Sequence, residues 1–197
     1  LILGSTAGDS IASGGNENTL VGNEAGTALT TGDNNVAVGF EALATEDGHG
    51  GNTAVGYRAL KTLNAGTDGD NVAVGKDAGT SVTTGIQNVL IGKGAGDALT
   101  DADFNVAIGV DALTDDTKGN TSVAIGRRTL HAQNFTSSTD TYNTAVGFEA
   151  GNDITTGTFN TMIGGLTGNG CTTGEKNTFV GGKAGGDSTQ TGASNTC

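Results

Sequence analysis

The side chains of this chain that could do chemistry are acidic pairs, two cysteines and two histidines. Paired carboxylates recur along the sequence, and oxygen ligands of this kind suit Ca²⁺. The Gly-Gly-x-Gly-x-Asp nonapeptide of calcium-binding β-rolls is missing. We therefore interpret the pairs as solvated turn charge, with calcium along one edge as the alternative. The pairs are Glu46 and Asp47, Asp68 and Asp70, Asp101 and Asp103, and Asp115 and Asp116.

The cysteines and histidines do not form the pattern of a metal site. Cys171 occupies a repeat position that is apolar in other copies, so we predict that it is a small buried hydrophobic residue. A disulfide between Cys171 and Cys197 would require two different repeat positions to meet, and we do not favour it. His49 and His131 have no cysteine at ligand spacing. We expect no transition-metal site.

Catalytic motifs are absent from the sequence. We find no nucleophile elbow, no phosphate-binding glycine loop with a lysine, no His-Glu-x-x-His and no carboxylate pair outside the repeat. Occurrences of Gly-x-Gly, such as residues 92–94, follow from the repeat in a chain with 36 glycines. We therefore expect that the protein is not an enzyme and uses no cofactor.

The candidate for a partner contact is the longest interruption of the repeat, between Gly126 and Gly147. Four extra residues occur there, together with basic and aromatic side chains. Insertions in solenoids usually form protruding loops on the binding face. A merely tolerated insertion is the simpler interpretation. The candidate contact residues are Arg127, Arg128, His131, Phe135 and Tyr142.

All of these side chains are positioned by one repeated phrase: Asn, any residue, a small or apolar residue, Val or Ile, then Gly. The phrase recurs mostly every 17 residues, a period too short for helical-pair repeats but suited to one coil of a β-solenoid. We predict an all-β protein, a parallel β-solenoid of about eleven 17-residue coils that forms a single domain over residues 1–197. The anchoring glycines are Gly4, Gly22, Gly39, Gly56, Gly75, Gly92, Gly109, Gly126, Gly147, Gly164 and Gly181.

Positions within a coil are numbered here from the anchoring glycine. Position −1 is Val or Ile and position −3 is Val or Thr, which favours a strand with both side chains on one face. Position −2 points the other way and is mostly Ala, as a narrow tube requires. A second turn often has the sequence Thr-Thr-Gly, whose glycine we expect to take positive φ. The apolar residues just before this turn, which we expect to be interior, are Leu29, Val82, Leu99 and Ile154.

An asparagine occupies position −4 of almost every coil, with Ser122 as the exception. Stacked asparagines can hydrogen-bond along a column and to nearby backbone, and Asn tolerates the left-handed conformation of turns. We therefore interpret the column as structural and not as a set of ligands. Its members are Asn18, Asn35, Asn52, Asn71, Asn88, Asn105, Asn143, Asn160, Asn177 and Asn195.

The charge and composition exclude several functions. The net charge of −12 would repel a phosphate backbone and an anionic membrane, so we expect no nucleic-acid partner and no membrane insertion. The chain has neither an apolar run of about 20 residues nor a signal pattern. Because it ends in the middle of a repeat at Asn195-Thr196-Cys197, we expect an interior segment of a longer fibrous protein.

Several copies of the phrase resemble repeats of known fibrous proteins. Ser122-Val123-Ala124-Ile125-Gly126 resembles the repeat of the YadA-like head of trimeric autotransporter adhesins, and Asn35 to Gly39 is similar to it. Asn52 to Gly56 and Asn143 to Gly147 resemble the Asn-Thr-Ala-Val-Gly arrays of phage tail fibres. The resemblance covers the whole chain, although the period is longer than in the adhesin head. It implies a left-handed parallel β-roll, assembled as a homotrimer, in a rod outside a cell or on a virion.

The functional hypotheses follow from shape and resemblance. A coil this thin buries little apolar surface, so lateral packing of several rolls would supply the missing core. The leading hypothesis is a structural and attachment module of an extracellular or virion fibre that binds a host-surface receptor, protein or glycan. An ice-binding solenoid is the second, and would need a regular Thr-x-Thr on one face. A polysaccharide-active enzyme is the third, and would need an acidic pair facing a groove.

Overall fold

The computed structural model describes residues 2–186 and 191–196, with only the backbone at residue 2. Strands and turns make up all the regular structure of this part of the chain. Within it there is also no helix long and apolar enough to cross a membrane. The strands are β1 (Ile2–Leu3), β2 (Thr19–Val21), β3 (Val36–Val38), β4 (Thr53–Val55), β5 (Val72–Val74), β6 (Val89–Ile91), β7 (Val106–Ile108), β8 (Gly119–Asn120), β9 (Val123–Ile125), β10 (Thr139–Asp140), β11 (Thr144–Val146), β12 (Thr161–Ile163) and β13 (Thr178–Val180).

One parallel sheet runs through every coil. It has eleven strands in the order β1-β2-β3-β4-β5-β6-β7-β9-β11-β12-β13, so each coil adds one strand beside the previous one. Equivalent repeat positions pair with each other, as Ala37 does with Ala54 and Leu90 with Ala107. The predicted parallel β-solenoid with a period of about 17 residues is confirmed.

The longest insertion forms a small second sheet. Strand β8 pairs in parallel with β10, which lies inside the insertion. The backbone N–H of Thr139 donates to the carbonyl of Lys118 at 3.2 Å, and that of Thr141 to Asn120 at 3.0 Å. The inserted residues are therefore held against the preceding coil by the same ladder that joins regular coils.

Side chains at positions −2, +3, +4 and +7 fill the interior of the solenoid. The residue at position −2 is fully buried from Leu20 to Phe179, whereas its neighbours at −3 and −1 are half-buried or exposed. This confirms the expected alternation. The apolar residues Leu29, Val82, Leu99 and Ile154 at position +7 are also fully buried, as predicted.

Side chains at positions −2 and +4 share one interior space. Leu90 at −2 is followed by Gly96 at +4, where an added Cβ would lie 2.8 Å from Leu90 Cδ2. Ala54 is instead followed by Leu60, and both are fully buried. Interiors are close-packed, so one coil accommodates at most one large residue at these two positions. Ala73 with Gly79 has none, and there the side chains of Leu60 and Leu90 from the adjacent coils take up the space. The first pattern also occurs at Leu20 with Gly26, Met162 with Gly168 and Phe179 with Gly185. The second pattern also occurs at Ala37 with Leu43, Ala107 with Leu113 and Ala124 with Leu130.

The anchoring glycines are required by both backbone conformation and space. Gly92 has φ +136°, a region that side chains rarely adopt. A Cβ at Gly92 would also lie 2.3 Å from the carbonyl oxygen of Gly109 in the next coil. The repeat therefore keeps glycine wherever two coils approach backbone to backbone.

The prediction that the Thr-Thr-Gly glycines take positive φ is wrong. Gly85 and Gly157 are outside the left-handed region. They are glycine because of space: a Cβ at Gly85 would lie 2.4 Å from the Ala102 oxygen, and a Cβ at Gly157 would lie 2.3 Å from the Gly174 oxygen. The left-handed residues are at −5, +2 and +4 and are mostly not glycine, for example Phe159 and Leu130, with φ 60° and 49°. Close packing of coils, and not turn type, fixes the glycines of the second turn.

The asparagine column is a hydrogen-bond ladder, as the structural interpretation predicts. The N–H of Asn88 donates to Asn71 Oδ1 at 3.0 Å, and Asn88 Nδ2 donates to the Ala102 carbonyl at 2.8 Å. Asn88 Oδ1 accepts the N–H of Asn105 at 2.9 Å. The column asparagines themselves are not left-handed, because that conformation falls on the preceding residue, such as Gln87 with φ 56°.

Candidate functional site

The most distinctive surface of the molecule is the outer side of the eleven-stranded sheet. We define the outer face as positions −3 and −1 of the strands from Thr19 to Val180, all of which are Val, Ile or Thr. Ile91, Ile163 and Val180 on this face are 36%, 43% and 57% exposed. The outer face is thus an uninterrupted strip of β-branched side chains without a single charge.

The middle of the outer face is its most apolar part. In four neighbouring coils both positions are aliphatic, whereas outside these coils position −3 is Thr, as in Thr53 and Thr144, except at Val36. Ten strands, each occupying about 4.8 Å along the stack, give the strip a length of roughly 50 Å. Soluble monomers rarely expose contiguous apolar patches of this kind without a binding role. The aliphatic residues are Val72, Val74, Val89, Ile91, Val106, Ile108, Val123 and Ile125.

The two long edges of the outer face carry different charges. We define the strand-end border as position +1, whose charged residues are all basic: Lys76, Lys93 and Arg127. The strand-start border comprises positions −6 and −5, where Lys176 is the one basic residue. The acidic residues of the strand-start border are Glu17, Asp33, Asp70, Asp103 and Glu175.

Exposed aromatic rings occur on both borders and stack along the rod. On the strand-end border the centroids of Phe40 and Tyr57 are 5.5 Å apart, with an angle of 16° between the rings. On the strand-start border Tyr142 and Phe159 are 4.9 Å apart. The guanidinium of Arg127 lies 5.5 Å from the centroid of Phe148, within cation–π range. Aromatic and basic groups of this type are enriched at protein interfaces.

The structure does not bring the five predicted contact residues together. Arg127 lies on the strand-end border and Tyr142 on the strand-start border, at opposite edges of the outer face. Arg128 is 3.6 Å from Glu149, and His131 Nδ1 is 3.6 Å from a carboxylate oxygen of Asp115. These residues therefore do not form one continuous contact loop.

Phe135 is buried, so its assignment to a partner-contact surface is wrong. Its side chain is only 7% exposed, and its backbone N–H donates to Asp116 Oδ1 at 3.0 Å. The insertion does not protrude as a loop at Phe135, because its strand β10 pairs with strand β8 of the preceding coil. An aromatic ring in this position contributes to the interior and cannot reach a partner.

A buried polar network, which the sequence analysis missed, lies beneath the insertion. Gln133 Nε2 donates to Asp116 Oδ2 at 2.6 Å and to Ser122 Oγ at 2.8 Å. Asn143 Nδ2 donates to Gln133 Oε1 at 2.8 Å, and Thr141 Oγ1 is 2.7 Å from Ser122 Oγ. All five residues are fully buried. The sequence signal was available, because Asp116 and Gln133 occupy position +7, which is otherwise mostly apolar.

The prediction of solvated charge is wrong for Glu46 and Asp116. Both carboxylates are fully buried, and both accept backbone N–H groups of the following, lengthened coil: Ala65 donates to Glu46 at 3.2 Å and Phe135 to Asp116 at 3.0 Å. A lengthened coil cannot keep every ladder hydrogen bond, and a buried N–H needs an acceptor. Asp47, Asp68, Asp70 and Asp115 are exposed, as expected, and Asp101 and Asp103 are half-buried.

One group of side chains has ligand atoms close enough for a cation. Single ligand atoms of Glu46, Asp47 and His49 lie within 4.8 Å of one another, and His49 Nδ1 is 3.4 Å from Glu46 Oε1. Both oxygens of Glu46 already accept backbone N–H groups, from His49 and Ala65. The position of Glu46 is therefore explained by the backbone that it stabilises.

A polar groove crosses three coils near the strand-start border. Its volume is about 360 Å³ and its lining includes Asp33, Asp68 and Asp70 around a floor of glycines. Asp33 accepts the N–H of Asn16 at 2.6 Å and Asp68 that of Gly50 at 2.9 Å. The lining residues are Thr31, Asp33, Asn34, Gly48, Gly50, Gly51, Asp68 and Asp70, none of them aromatic.

Three titrating groups have shifted pKa values. Burial raises the pKa of Asp97, although the Thr114 hydroxyl opposes the shift. Desolvation also acts on Asp101, but hydrogen bonds from Lys118 and Thr100 outweigh it and lower the pKa. Burial raises the pKa of the Cys171 thiol, which is fully buried as predicted. Cys197, the other half of the disfavoured disulfide, lies outside the described residues.

Comparison with known proteins gives no relative. No family model, no curated protein and no solved structure matches this chain. The functional proposal therefore rests on the surface geometry: a long uncharged strip, one border with basic charges, the opposite border mainly acidic, and stacked aromatic rings on each.

Proposed function

We propose that this chain is a structural and attachment module of an extracellular or virion fibre, in which several copies pack through the outer face. The observation that supports it is the uncharged β-branched strip, roughly 50 Å long. Such a strip is costly to leave in water. A second copy carries an equally long strip with the same spacing between strands, and its outer face could therefore pack against this one along the whole length.

The size of the outer face suits a stable interface. Six residue steps separate position −5 from position +1, a width of about 20 Å. Together with the length this gives a footprint on the order of 1,000 Å², similar to the roughly 800 Å² per partner of standard interfaces. Alanine is the commonest residue at the interior positions −2 and +3, so association would add apolar burial that one solenoid lacks.

The number of copies and the location come from the resemblance noted for Ser122 to Gly126 and Asn143 to Gly147. It favours a homotrimer outside a cell or on a virion, with a host-surface receptor, protein or glycan, as the external partner. In such an assembly the outer face is covered, and a receptor would contact the opposite surface. Arg128 and His131 are the predicted contact residues that lie outside the outer face and its borders.

The experiment that tests self-association places a charge on the outer face. Ile91→Lys puts an ammonium in the most apolar part of the strip. Thr84→Lys puts the same charge at an exposed position of the second turn, outside the outer face. We expect the native protein and Thr84→Lys to form oligomeric rods by light scattering and negative-stain imaging, and Ile91→Lys to be monomeric. A native protein that is monomeric at all concentrations would overturn the proposal.

An ice-binding solenoid is the second candidate, because the outer face is a regular array with threonines at position −3, such as Thr144, Thr161 and Thr178. Position −1 carries no Thr from Val21 to Val180, so a Thr-x-Thr array is lacking. Retention of the protein in growing ice, and its loss on Thr161→Lys, would favour this function over fibre assembly.

A polysaccharide-active enzyme is the third candidate, and the groove around Asp33 and Asp68 is where it would act. Both carboxylates accept backbone N–H groups, and no aromatic residue lines the groove as a sugar platform. Cleavage of a polysaccharide that is abolished by Asp68→Asn would be needed to support this function.

A further inference from the structure

The aromatic column of the strand-start border has a gap at Thr121. Phe104, Tyr142 and Phe159 occupy position −5 and are each about half exposed, whereas Thr121 occupies the coil between Phe104 and Tyr142. The N–H of Thr121 donates to the Asp103 carbonyl at 3.1 Å, and its hydroxyl accepts the N–H of Tyr142 at 3.4 Å. Thr121 therefore forms the floor of a slot between two aromatic positions.

The dimensions of the slot suit a planar cation. Tyr142 and Phe159 stack with centroids 4.9 Å apart, which is about one coil step. Phe104 and Tyr142 are two coil steps apart, or roughly 9.6 Å. A group midway between their rings would lie about 5 Å from each centroid, within the 6 Å of a cation–π contact.

The charges around the slot also favour a cation. Asp103 precedes Phe104, and Asp140 Oδ2 accepts a hydrogen bond from the Tyr142 hydroxyl at 3.5 Å. Asp140 is exposed and Asp103 half exposed. Asp103 Oδ1 accepts the N–H of Ile86 in the coil on the far side at 2.8 Å, so Asp140 is the carboxylate beside the ring faces. One carboxylate and two ring faces are complementary to a guanidinium, which is planar, weakly hydrated and stacks on aromatic rings.

A parallel assembly would bring such a guanidinium to the slot. Rotation about an axis along the rod places the strand-start border of one copy beside the strand-end border of the next, acidic against basic. An antiparallel arrangement would put acidic against acidic. In a closed ring of copies each coil also lies level with the same coil of its neighbour, because rotational symmetry has no rise.

We infer, resting on the proposed self-association, that Arg127 of one copy enters the slot over Thr121 of the next, between Phe104 and Tyr142. Arg127 and Thr121 belong to the same coil, at positions +1 and −5, so a closed parallel ring sets them opposite each other. In the same ring the coils on either side would set Val110 opposite Phe104 and Phe148 opposite Tyr142.

Arg127 is held within its own copy only by exposed contacts, one of which is the cation–π contact with Phe148 at 5.5 Å. Its side chain is about half exposed and its Nη1 is 3.6 Å from Glu149, a surface ion pair of small value. Arg128 is the same distance from Glu149. Glu149 would therefore keep one guanidinium partner when Arg127 turns toward a neighbouring copy.

The decisive test is disulfide cross-linking of the double variant Thr121→Cys/Arg127→Cys, in a background of Cys171→Val and Cys197→Ser. Within one copy the two positions flank strand β9, whose three residues alone span about 10 Å, too far for a disulfide. We expect oxidation to give covalent trimers on a denaturing gel. The control Gln87→Cys/Arg127→Cys, displaced by two coils, should remain uncross-linked.

The other cross-linking outcomes separate the two proposals. Covalent dimers from Thr121→Cys alone would show antiparallel copies and overturn the Arg127 contact. An oligomer that cross-links only through the displaced pair, or through neither pair, would also overturn it while leaving self-association intact. A monomeric native protein would overturn both.

A second measurement tests the chemistry of the slot. We expect Arg127→Ala to raise the concentration of half-association about tenfold, and Arg128→Ala to change it less than twofold. Thr121→Phe should raise it by a similar factor, because a phenyl ring would fill the slot. This residue type already occurs at the same left-handed position at Phe104 and Phe159, with φ 61° and 60°. Tighter association of Thr121→Phe would contradict the inference.

Discussion

At the scale of single residues, one buried amide in each coil holds neighbouring coils together. The Asn88 side chain accepts from the coil on one side through Asn105 and donates to a carbonyl at the far end of its own coil, Ala102. Asn88 and Asn105 are fully buried, and buried backbone donors and acceptors need partners. The asparagine column therefore closes each coil across the tube as well as stacking it on the next.

Replacement of Asn88 by Ala should lower the free energy of unfolding by about 2 to 4 kcal/mol, because the Asn105 N–H and the Ala102 carbonyl lose their partners in the interior. The measurement is urea unfolding at one protein concentration. Asn64→Ala removes an exposed asparagine outside the column and should change stability by less than about 0.5 kcal/mol. Equal effects of the two variants would argue against the ladder.

Asp97 and Asp101 should respond to neutralisation with opposite signs. Burial raises the pKa of Asp97, so its ionisation opposes folding. The contribution of Asp97 to the free energy of unfolding is fully present below the ordinary pKa of 3.8. It is lost as the pH rises through the raised pKa of the folded state. Asp97→Asn should thus stabilise at pH 7 by a few tenths of a kcal/mol and have no effect near pH 3.

For Asp101 the hydrogen bond from Lys118, 3.3 Å away, contributes to a lowered pKa. Its contribution to stability is present above the ordinary pKa and is lost as the pH falls through the lowered value. Asp101→Asn should therefore destabilise slightly at pH 7. Urea unfolding of both variants at pH 7 and pH 3 gives the comparison, and effects of the same sign at pH 7 would contradict the assignment.

At the scale of the coil, large and small residues alternate between positions −2 and +4. In the coil of Ala54 and Leu60 the large residue is at position +4. In the coil of Leu90 and Gly96 it is at position −2. Leu60 has φ 48°, an unfavourable conformation for a side chain. The second arrangement avoids that cost because glycine occupies the left-handed position.

Exchanging the two arrangements tests this compensation. Ala54→Leu alone should destabilise by about 1 to 3 kcal/mol through overpacking, and Leu60→Gly alone by about 2 to 4 kcal/mol through a cavity. The double variant reproduces the arrangement of Leu90 and Gly96 and should recover most of the loss. A double-mutant cycle from urea unfolding should give a coupling of at least about 2 kcal/mol. Additive losses would show that the two side chains do not share one space.

The two coils that are longer by two and four residues, which begin after Gly56 and Gly126, show how the repeat tolerates insertions. Each is preceded by a coil with an acidic residue at position +7, Glu46 in one case and Asp116 in the other. Each carboxylate accepts the N–H that lies nine residues after the next anchoring glycine, from Ala65 and Phe135. A buried acid in an otherwise mostly apolar column is thus the local sign of an irregular coil above it.

At the scale of the whole molecule, the solenoid is a stack in which each coil contacts mainly its neighbours. The sheet adds one strand per coil without crossing over, so stability should be approximately a sum over coils and their interfaces. The outer face extends with the stack, and its length sets the area available for a partner.

Removal of one whole coil should therefore preserve the fold. Deletion of residues 76–92 joins Gly75 to Lys93 in register, and we expect a rod about 5 Å shorter with a lower urea midpoint. Deletion of residues 76–83 shifts the strands out of register and should abolish cooperative folding. Small-angle scattering and urea unfolding measure both. A folded half-coil deletion would contradict a stack with a fixed register.

The sequence by itself determined the period, the parallel stacking and the alternation along each strand. These depend on local spacing: Val146 and Ala145 must point to opposite sides of an extended chain, and a 17-residue repeat brings Ala145 level with Met162. The structural role of the asparagines could be predicted for the same reason, because identical residues at one position of every coil must stack.

Only the tertiary structure decided which polar residues are buried and why glycine is required in the second turn. Glu46 and Asp116 occupy the mostly apolar position +7, but their burial is explained only by the coil above each acid, in which Ala65 and Phe135 donate their N–H groups to the carboxylates. Gly85 is fixed by a carbonyl oxygen 2.4 Å from its would-be Cβ, a contact with a residue 17 positions away. The slot at Thr121 and the charges of the borders likewise depend on stacking between coils, which no single stretch of sequence contains.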